Sequence, residues 1–125
     1  MERNPVGWFE IYVQDMRRAK AFYETTLGLD LKKLDTPADI SEMWAFPMKE
    51  KAPGATGALI KMEGFPAGGG ATIVYFSCED CAREASRAQA NGGKIKKEKF
   101  SIGEWGFIAL VNDTEGNVIG LHSMK

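Results

Sequence analysis

The pattern of apolar and polar positions predicts a strand at the start of the chain. Residues 6–13 are β-branched and aromatic and alternate with a period of two, which is typical of a strand with two different faces. One face carries Phe9, Ile11 and Val13, and the other carries Trp8, Glu10 and Tyr12. The first face is purely apolar, whereas the second combines two aromatic rings with a carboxylate.

A helix and three short strands are predicted to follow. Asp15 can cap a helix that Gly28 ends. Its apolar residues recur at helical spacing and are Met16, Ala19, Phe22, Tyr23 and Leu27. Extended segments are predicted near residues 29–34, 42–47 and 57–62, separated by turns rich in proline and glycine. The first half therefore has the order βαβββ.

The second half repeats this order with an offset of 65 residues. Asp80 falls on Asp15, and Gly93 falls on Gly28. A helix is predicted over residues 81–90, and strands are predicted over residues 71–77, 94–100, 105–112 and 117–124. Because few residues are identical between the halves, the matching order of elements is the stronger sign of a duplication.

The duplication predicts an α+β fold. Two βαβββ modules with one helix each would form a curved mixed sheet around a central cup, because each half-sheet has a second face to bury. We expect residues 1–125 to form a single domain. Module 1 would span residues 5–63 and module 2 residues 71–125, with a glycine- and proline-rich linker at 64–70. A cup of this kind is where a small ligand would bind.

Composition and charge exclude several classes of function. The chain has 125 residues, of which 44% are hydrophobic, and its 16 Lys and Arg nearly balance its 17 Asp and Glu. This balance offers no basic surface for nucleic acid. The apolar runs are shorter than the roughly 20 residues of a membrane span, and no segment of signal-peptide type begins the chain. We therefore expect a cytoplasmic protein without nucleic-acid or membrane partners.

Several short motifs are spread along the chain. They are Phe9-Glu10-Ile11, Asp15-Met16, the helix segment 19–24, Leu27-Gly28-Leu29, Asn91-Gly92-Gly93-Lys94 and Asp113-Thr114-Glu115-Gly116-Asn117. Together they resemble the vicinal oxygen chelate superfamily, which includes glyoxalase, bleomycin-resistance proteins and extradiol dioxygenases. The resemblance covers nearly the whole chain. The resemblance implies a tandem βαβββ fold, usually as a homodimer, with a divalent metal in the cup of the catalytic members.

The metal positions that the resemblance implies carry other residue types in this chain. They fall on Trp8, Lys61, Ile73 and Gly120. Trp, Ile and Gly side chains offer no ligand to a divalent cation, and Lys brings a competing positive charge. We therefore expect no metal and no other cofactor. Glu10 and His122 lie two residues from Trp8 and Gly120 and are the possible ligands that remain on these strands. A typical catalytic zinc site has three protein ligands, so these two are too few.

Glu10 and His122 are the candidate catalytic residues. A carboxylate at mid-strand is costly to bury without a partner, which favours a wet cavity around Glu10, whereas a lone His is more often a structural residue. Candidate ligand-binding residues are Trp8, Tyr12, Trp44, Lys61, Ile73, Tyr75, Trp105, Phe107 and Gly120. Parity along the strand does not decide whether Trp44 faces inward. The loop over residues 101–107 is either a flap or a hairpin turn that needs glycine.

The pair Cys78 and Cys81 forms a CxxC motif, which occurs in redox pairs and as half of a zinc site. No second ligand pair accompanies it, so we expect two structural thiols.

Two classes of function fit these observations. The first is a metal-free protein that binds a small, partly aromatic or planar molecule in a dimeric cup. The second is a metal-independent isomerase or lyase that transfers protons with Glu10 and His122. A third, weaker hypothesis is a metal-dependent enzyme resembling lactoylglutathione lyase.

Overall fold

A computed structural model describes residues 3–37 and 39–125, and it contains two βαβββ modules in sequence. In chain order, the elements of these residues are β1 (Val6–Tyr12), α1 (Met16–Leu27), β2 (Lys32–Lys33), β3 (Glu42–Ala45), β4 (Thr56–Lys61), β5 (Thr72–Ser77), α2 (Cys81–Ala90), β6 (Lys94–Ser101), a 3-10 turn (Gly103–Trp105), β7 (Phe107–Asn112) and β8 (Val118–Ser123). The predicted α+β class, with one helix in each module, is confirmed. No helix in the described ranges is both long and apolar enough to cross a membrane.

The chain divides into two compact units. We call residues 8–72 the N-terminal unit, and residues 3–7 with 73–125 the C-terminal unit. Each unit holds four strands and one helix, and each has one parallel strand pair in an otherwise antiparallel sheet. The two units are described separately below.

In the N-terminal unit, the strand order is β2-β3-β4-β1. β1 runs parallel to β4, with Glu10 opposite Ala58 and Ile11 opposite Leu59. The apolar face of β1 packs under α1 in a cluster with Met16 and Leu59, which are 4% and 0% exposed. The other face of β1, which carries Trp8, Glu10 and Tyr12, is thus turned away from the helix.

The predicted ends of α1 are confirmed. The Asp15 side chain accepts a hydrogen bond from the Arg18 backbone N–H at 3.0 Å, which satisfies one donor of the first turn. Gly28 has φ +66°, the left-handed conformation that glycine adopts without a steric penalty, and its N–H donates to the Glu24 carbonyl.

In the C-terminal unit, the strand order is β5-β8-β7-β6. Asp80 caps α2, and the buried Ser123 hydroxyl accepts the Cys81 backbone N–H at 2.9 Å. Small residues line the helix side that faces the sheet, since Cys81 and Ala85 are 0% and 2% exposed. The helix therefore packs tightly on β7 and β8.

Several predicted strands are shorter in the structure, and for two of them the contacts show why. The strand expected at residues 29–34 is reduced to Lys32–Lys33, because the Leu31 N–H donates to the Glu24 carboxylate at 2.8 Å rather than to another strand. The strand expected from Trp105 begins at Phe107, because residues 103–105 form a 3-10 turn. Gly103 and Gly106 have φ +76° and +102°, so the loop is a turn that needs glycine.

We predict that Gly120→Ala destabilises the C-terminal unit. Gly120 lies opposite Tyr75 across the β5–β8 pair, and a Cβ at this position would collide with the Tyr75 ring. The expected loss in the free energy of unfolding is about 1–3 kcal/mol, the usual cost of overpacking. Urea denaturation measures it.

Gly69→Ala is the matched control. Gly69 has no heavy atom within 4 Å of an added Cβ and no positive φ, so the change should stay within about 0.5 kcal/mol. Equal stabilities for the two variants would contradict the packing of Tyr75 on Gly120.

Candidate functional site

Glu10 is held by two aromatic donors from its own strand. The Trp8 indole N–H donates to Glu10 Oε2 at 3.2 Å, and the Tyr12 hydroxyl donates to Glu10 Oε1 at 2.9 Å. The alternation of β1 places all three side chains on one face, because residues i, i+2 and i+4 of a strand point the same way. Both oxygens of the carboxylate thus have a hydrogen bond that holds them in place. We call these three residues the Glu10 array.

Tyr12 connects the Glu10 array to the linker. Its ring is 8% exposed and stacks on Phe65, with 5.1 Å between ring centroids and 23° between ring planes. The Gln14 side chain donates to the Phe65 carbonyl at 3.1 Å, which ties this part of the linker to the end of β1. The sequence reasoning missed Phe65. A large aromatic residue within a glycine- and proline-rich segment was the signal that could have indicated it.

The Tyr12 phenol remains protonated well above neutral pH. Burial raises its pKa most, and the negative charge of Glu10 and the hydrogen bond to Glu10 raise it further. A neutral phenol is a donor, so Tyr12 holds the Glu10 carboxylate as a hydrogen-bond donor rather than as a second anion.

Trp44 and Lys61, two predicted ligand-binding residues, lie on the other face of the N-terminal sheet. Trp44 packs against the cluster under α1, its indole N–H donates to Glu42 at 3.2 Å, and the Lys20 ammonium lies 4.9 Å from its ring centroid. Lys61 is opposite Glu42 in the β3–β4 register and shares that face. The structure therefore does not bring these two residues together with the Glu10 array.

A cavity of about 470 Å³ lies at the end of β4, beside the linker. Lys61 and Phe65 are among its lining residues. A second cavity of about 340 Å³ lies between α1 and the sheet. Neither cavity is lined by Trp8, Glu10 or Tyr12, but Phe65, which lines the first cavity, stacks on Tyr12 of the Glu10 array.

In the C-terminal unit, Ile73, Tyr75, Gly120 and His122 share the face that is turned away from α2. Ile73 and Tyr75 are 4% and 5% exposed, and the Tyr75 ring covers Gly120. The register pairs Tyr75 with Gly120 and Ser77 with His122. Four predicted site residues are thus gathered on one surface, and three of them, Ile73, Tyr75 and Gly120, are buried.

His122 is positioned by the turn before β7. Its Nε2 atom is hydrogen-bonded to the Trp105 carbonyl oxygen, which can only accept, so Nε2 carries the hydrogen and Nδ1 has the lone pair of the neutral ring. The Trp105 side chain is 56% exposed. Phe107 packs on the α2 side of the sheet, with the Lys99 ammonium 4.7 Å from its ring centroid. Phe107 therefore does not share the His122 face.

The residues at the four implied metal positions do not fit a divalent cation. Trp8 uses its N–H as a donor to Glu10, Ile73 is buried, and Gly120 is covered by the Tyr75 ring. Lys61 is exposed at the end of β4 and carries a positive charge. Across residues 3–37 and 39–125, no group of three His, Cys, Asp or Glu side chains is arranged to hold a metal ion.

Cys78 and Cys81 are free thiols, and the structure gives Cys78 little nucleophilic character. Burial raises the pKa of the Cys78 thiol to about 11, and the charge of Glu84 adds to the effect. The thiol form therefore dominates at neutral pH, whereas the thiolate is the nucleophile and the metal ligand.

We predict that the raised pKa of Tyr12 makes stability depend on alkaline pH. The folded state holds the phenol proton more tightly than the unfolded state, so this contribution is complete below about pH 10 and is lost as the pH rises further. Urea denaturation from pH 8 to 11 should show a steeper loss for the wild type than for Tyr12→Phe. Equal slopes would contradict the burial of a protonated Tyr12 against Glu10.

We predict slow alkylation of Cys78. With its thiol pKa raised to about 11, iodoacetamide at pH 8 should modify it at least about tenfold more slowly than free cysteine. The Cys81→Ser variant isolates this thiol, and the same variant in urea is the control that should react at the ordinary rate. Fast modification of the folded variant would instead indicate a reactive thiolate.

Comparison with known proteins agrees with the fold. Uncharacterized protein YetH of Bacillus subtilis (strain 168) is 28% identical over 117 residues, which cover 90% of this chain and 92% of YetH. The crystal structure of hypothetical protein BH1468 from Bacillus halodurans C-125 has a TM-score of 0.71 at 13% identity and covers 96% of this chain and 94% of its own. Methylmalonyl-CoA epimerase from Mycobacterium tuberculosis has a TM-score of 0.68 at 15% identity, covering 97% and 88%.

A match to a family model establishes the superfamily to which the chain belongs. The model of the Glyoxalase/Bleomycin resistance protein/Dioxygenase superfamily matches residues 6–121, which span both modules and the linker. The chain belongs to the glyoxalase/bleomycin resistance protein/dioxygenase superfamily.

Proposed function

We propose that this protein binds a small, partly aromatic or planar molecule at the Glu10 array without a catalytic metal. The observation that carries the proposal is the fixed carboxylate between two rings, with hydrogen bonds of 3.2 Å from Trp8 and 2.9 Å from Tyr12. Members of the superfamily bind small molecules, and membership is established for residues 6–121.

The Glu10 array combines the two components of a small-molecule site. Aromatic rings supply a large apolar contact area, and a few positioned polar groups orient the ligand. Because Trp8 and Tyr12 already hold the carboxylate, a ligand N–H or O–H would meet an acceptor that does not need to reorganise. The class of ligand that this favours is a planar molecule with a hydrogen-bond donor at its edge.

The proposed working form is a homodimer in the cytoplasm, with residues 1–125 acting as one domain. Dimers are common in the superfamily, and the near-neutral charge of the chain gives no reason to expect a nucleic-acid partner.

The alternative function is a metal-independent isomerase or lyase that uses Glu10 and His122. The specific observation in its favour is the hydrogen bond of His122 Nε2 to the Trp105 carbonyl, which gives the neutral ring a basic Nδ1. Solved structures of similar fold include methylmalonyl-CoA epimerase from Mycobacterium tuberculosis, and epimerisation is a proton-transfer reaction. A metal-dependent enzyme resembling lactoylglutathione lyase is weaker, because Trp8, Ile73 and Gly120 are not ligands.

We predict that Glu10→Gln separates binding from catalysis. Native mass spectrometry of untagged protein purified without chelator first identifies any retained molecule, metal ion and the number of subunits. If the protein is a binder, Glu10→Gln should change the affinity for the retained molecule by less than about tenfold. Glutamine is isosteric, its amide oxygen can accept from Trp8, and its NH2 group can donate to the Tyr12 hydroxyl, which is also an acceptor. If it is a proton-transfer enzyme, kcat on that molecule should fall by about a hundredfold or more.

Trp8→Ala and Phe22→Ala complete this experiment. Trp8→Ala removes a ring of the Glu10 array and should weaken binding by more than about tenfold. Phe22, which is 60% exposed on α1, is the matched control, and its replacement should leave the affinity unchanged. One divalent ion per subunit in the mass spectrum, or an unchanged affinity of Trp8→Ala, would contradict the proposed function.

A further inference from the structure

The second cavity of the N-terminal unit lies on the other face of β1 from the Glu10 array. It has a volume of about 340 Å³ and lies between the C-terminal half of α1 and strands β1 and β4. Its floor includes Phe9 and Ile11 of β1, and its wall includes Tyr23 and Leu27 of α1. The alternation of β1 separates it from Glu10, because Phe9 and Ile11 point to the opposite side of the sheet.

The two helices carry residues of different size on the side that packs against their strands. With the repeat offset of 65 residues, Cys81, Ala85 and Ala88 of α2 correspond to Met16, Lys20 and Tyr23 of α1. The small residues allow α2 to lie close to its sheet, and Cys81 and Ala85 are buried there. In α1 the N-terminal Met16 is 4% exposed whereas Leu27 at the other end is 55% exposed.

Tyr23 packs against the aromatic residues under this end of α1. Its ring meets the Phe46 ring edge-on, with 5.7 Å between centroids and 86° between ring planes. Phe46 in turn contacts Phe9 at 5.5 Å between centroids. The rings of Phe9, Tyr23 and Phe46 therefore form one side of the cavity.

The lining has no charge to offer a ligand. None of the described residues around the cavity is acidic or basic. The Thr56 hydroxyl at its rim is hydrogen-bonded to the Pro47 carbonyl at 2.9 Å. A charged ligand would lose its hydration here without a compensating partner, whereas an apolar ligand would gain from leaving water.

We propose that this cavity is a second binding site, for an uncharged, hydrocarbon-rich molecule about the size of two fused rings. The volume matches the lower end of small-molecule pockets, which span roughly 300–1,000 Å³. The cleft is open to solvent on the side of Leu27 and Ala55, so an apolar ligand could enter it, and it would be stabilised by the apolar surface that it buries against the rings. The site is independent of the Glu10 array, since no lining residue is shared.

Naphthalene is the probe for this site, because it has two fused rings and no hydrogen-bonding group. In protein labelled at the Ile and Leu methyl groups, NMR titration should shift the signals of Ile11, Leu27 and Leu29, which line the cavity. The signals of Ile60 and Leu121 should not move, since Ile60 pairs with Tyr12 on the other face and Leu121 lies in the C-terminal unit. Shifts concentrated at Ile60 or Leu121, or no shifts at naphthalene saturation, would overturn the proposal.

The Ala55→Phe variant tests whether naphthalene binds in this cavity, because the added ring would fill it. Ala55 lines it from an exposed loop, and the added ring should weaken naphthalene binding at least about tenfold. Ala90→Phe adds the same ring at an exposed position of α2 and should leave the affinity within about twofold. Leu27→Phe, at the exposed mouth, replaces Ala55→Phe if that variant does not fold.

A second copy of the chain is the other occupant to distinguish. If it covers the cavity, the wild type will bind no naphthalene, and light scattering will show a dimer that Ala55→Phe converts to a monomer. That result would overturn the small-molecule site. Binding that Ala55→Phe and Leu27→Phe leave unchanged would overturn it equally.

Discussion

The hydrogen bonds that Trp8 and Tyr12 donate to Glu10 are the interactions on which the candidate site depends. The half-buried carboxylate of Glu10 at the middle of the strand needs donors, because a charge that loses part of its hydration is costly without a partner. The strand supplies both donors from its own residues two positions away. The cost of placing a charge at mid-strand is thereby met locally, and the two rings and the carboxylate are held as one rigid group.

The same alternation divides the N-terminal unit into two chemically different surfaces. Phe9 and Ile11 face α1 and contribute to an apolar cluster, while Glu10 and Tyr12 face the other way. The C-terminal unit has the same plan, since Phe76 packs under α2 and Tyr75 faces away. The two units differ in the size of the helix residues at the contact, where Tyr23 of α1 corresponds to Ala88 of α2 and lines the cavity.

Local signals predicted much of this fold, and long-range contacts account for what they missed. The alternation of β1, the Asp15 cap and the left-handed Gly28 each depend on residues within a few positions, so the sequence indicated them. The face of Trp44 depends on the register between β3 and β4, which no local pattern gives. The stack of Phe65 on Tyr12 joins residues 53 positions apart, and the shortening of β2 follows from a hydrogen bond to a side chain of α1.

At three of the four implied metal positions, Trp8, Ile73 and Gly120, the residue present has a structural role of its own. Trp8 supplies a hydrogen bond to Glu10, and Gly120 provides the space that the Tyr75 ring occupies. A ligand introduced at either position would therefore remove an existing contact before it could bind an ion. A carboxylate at 120 would also displace Tyr75, which is 5% exposed. Aromatic side chains thus occupy the space at these positions. The groups of the Glu10 array that could contact a ligand are the rings of Trp8 and Tyr12 and the carboxylate of Glu10.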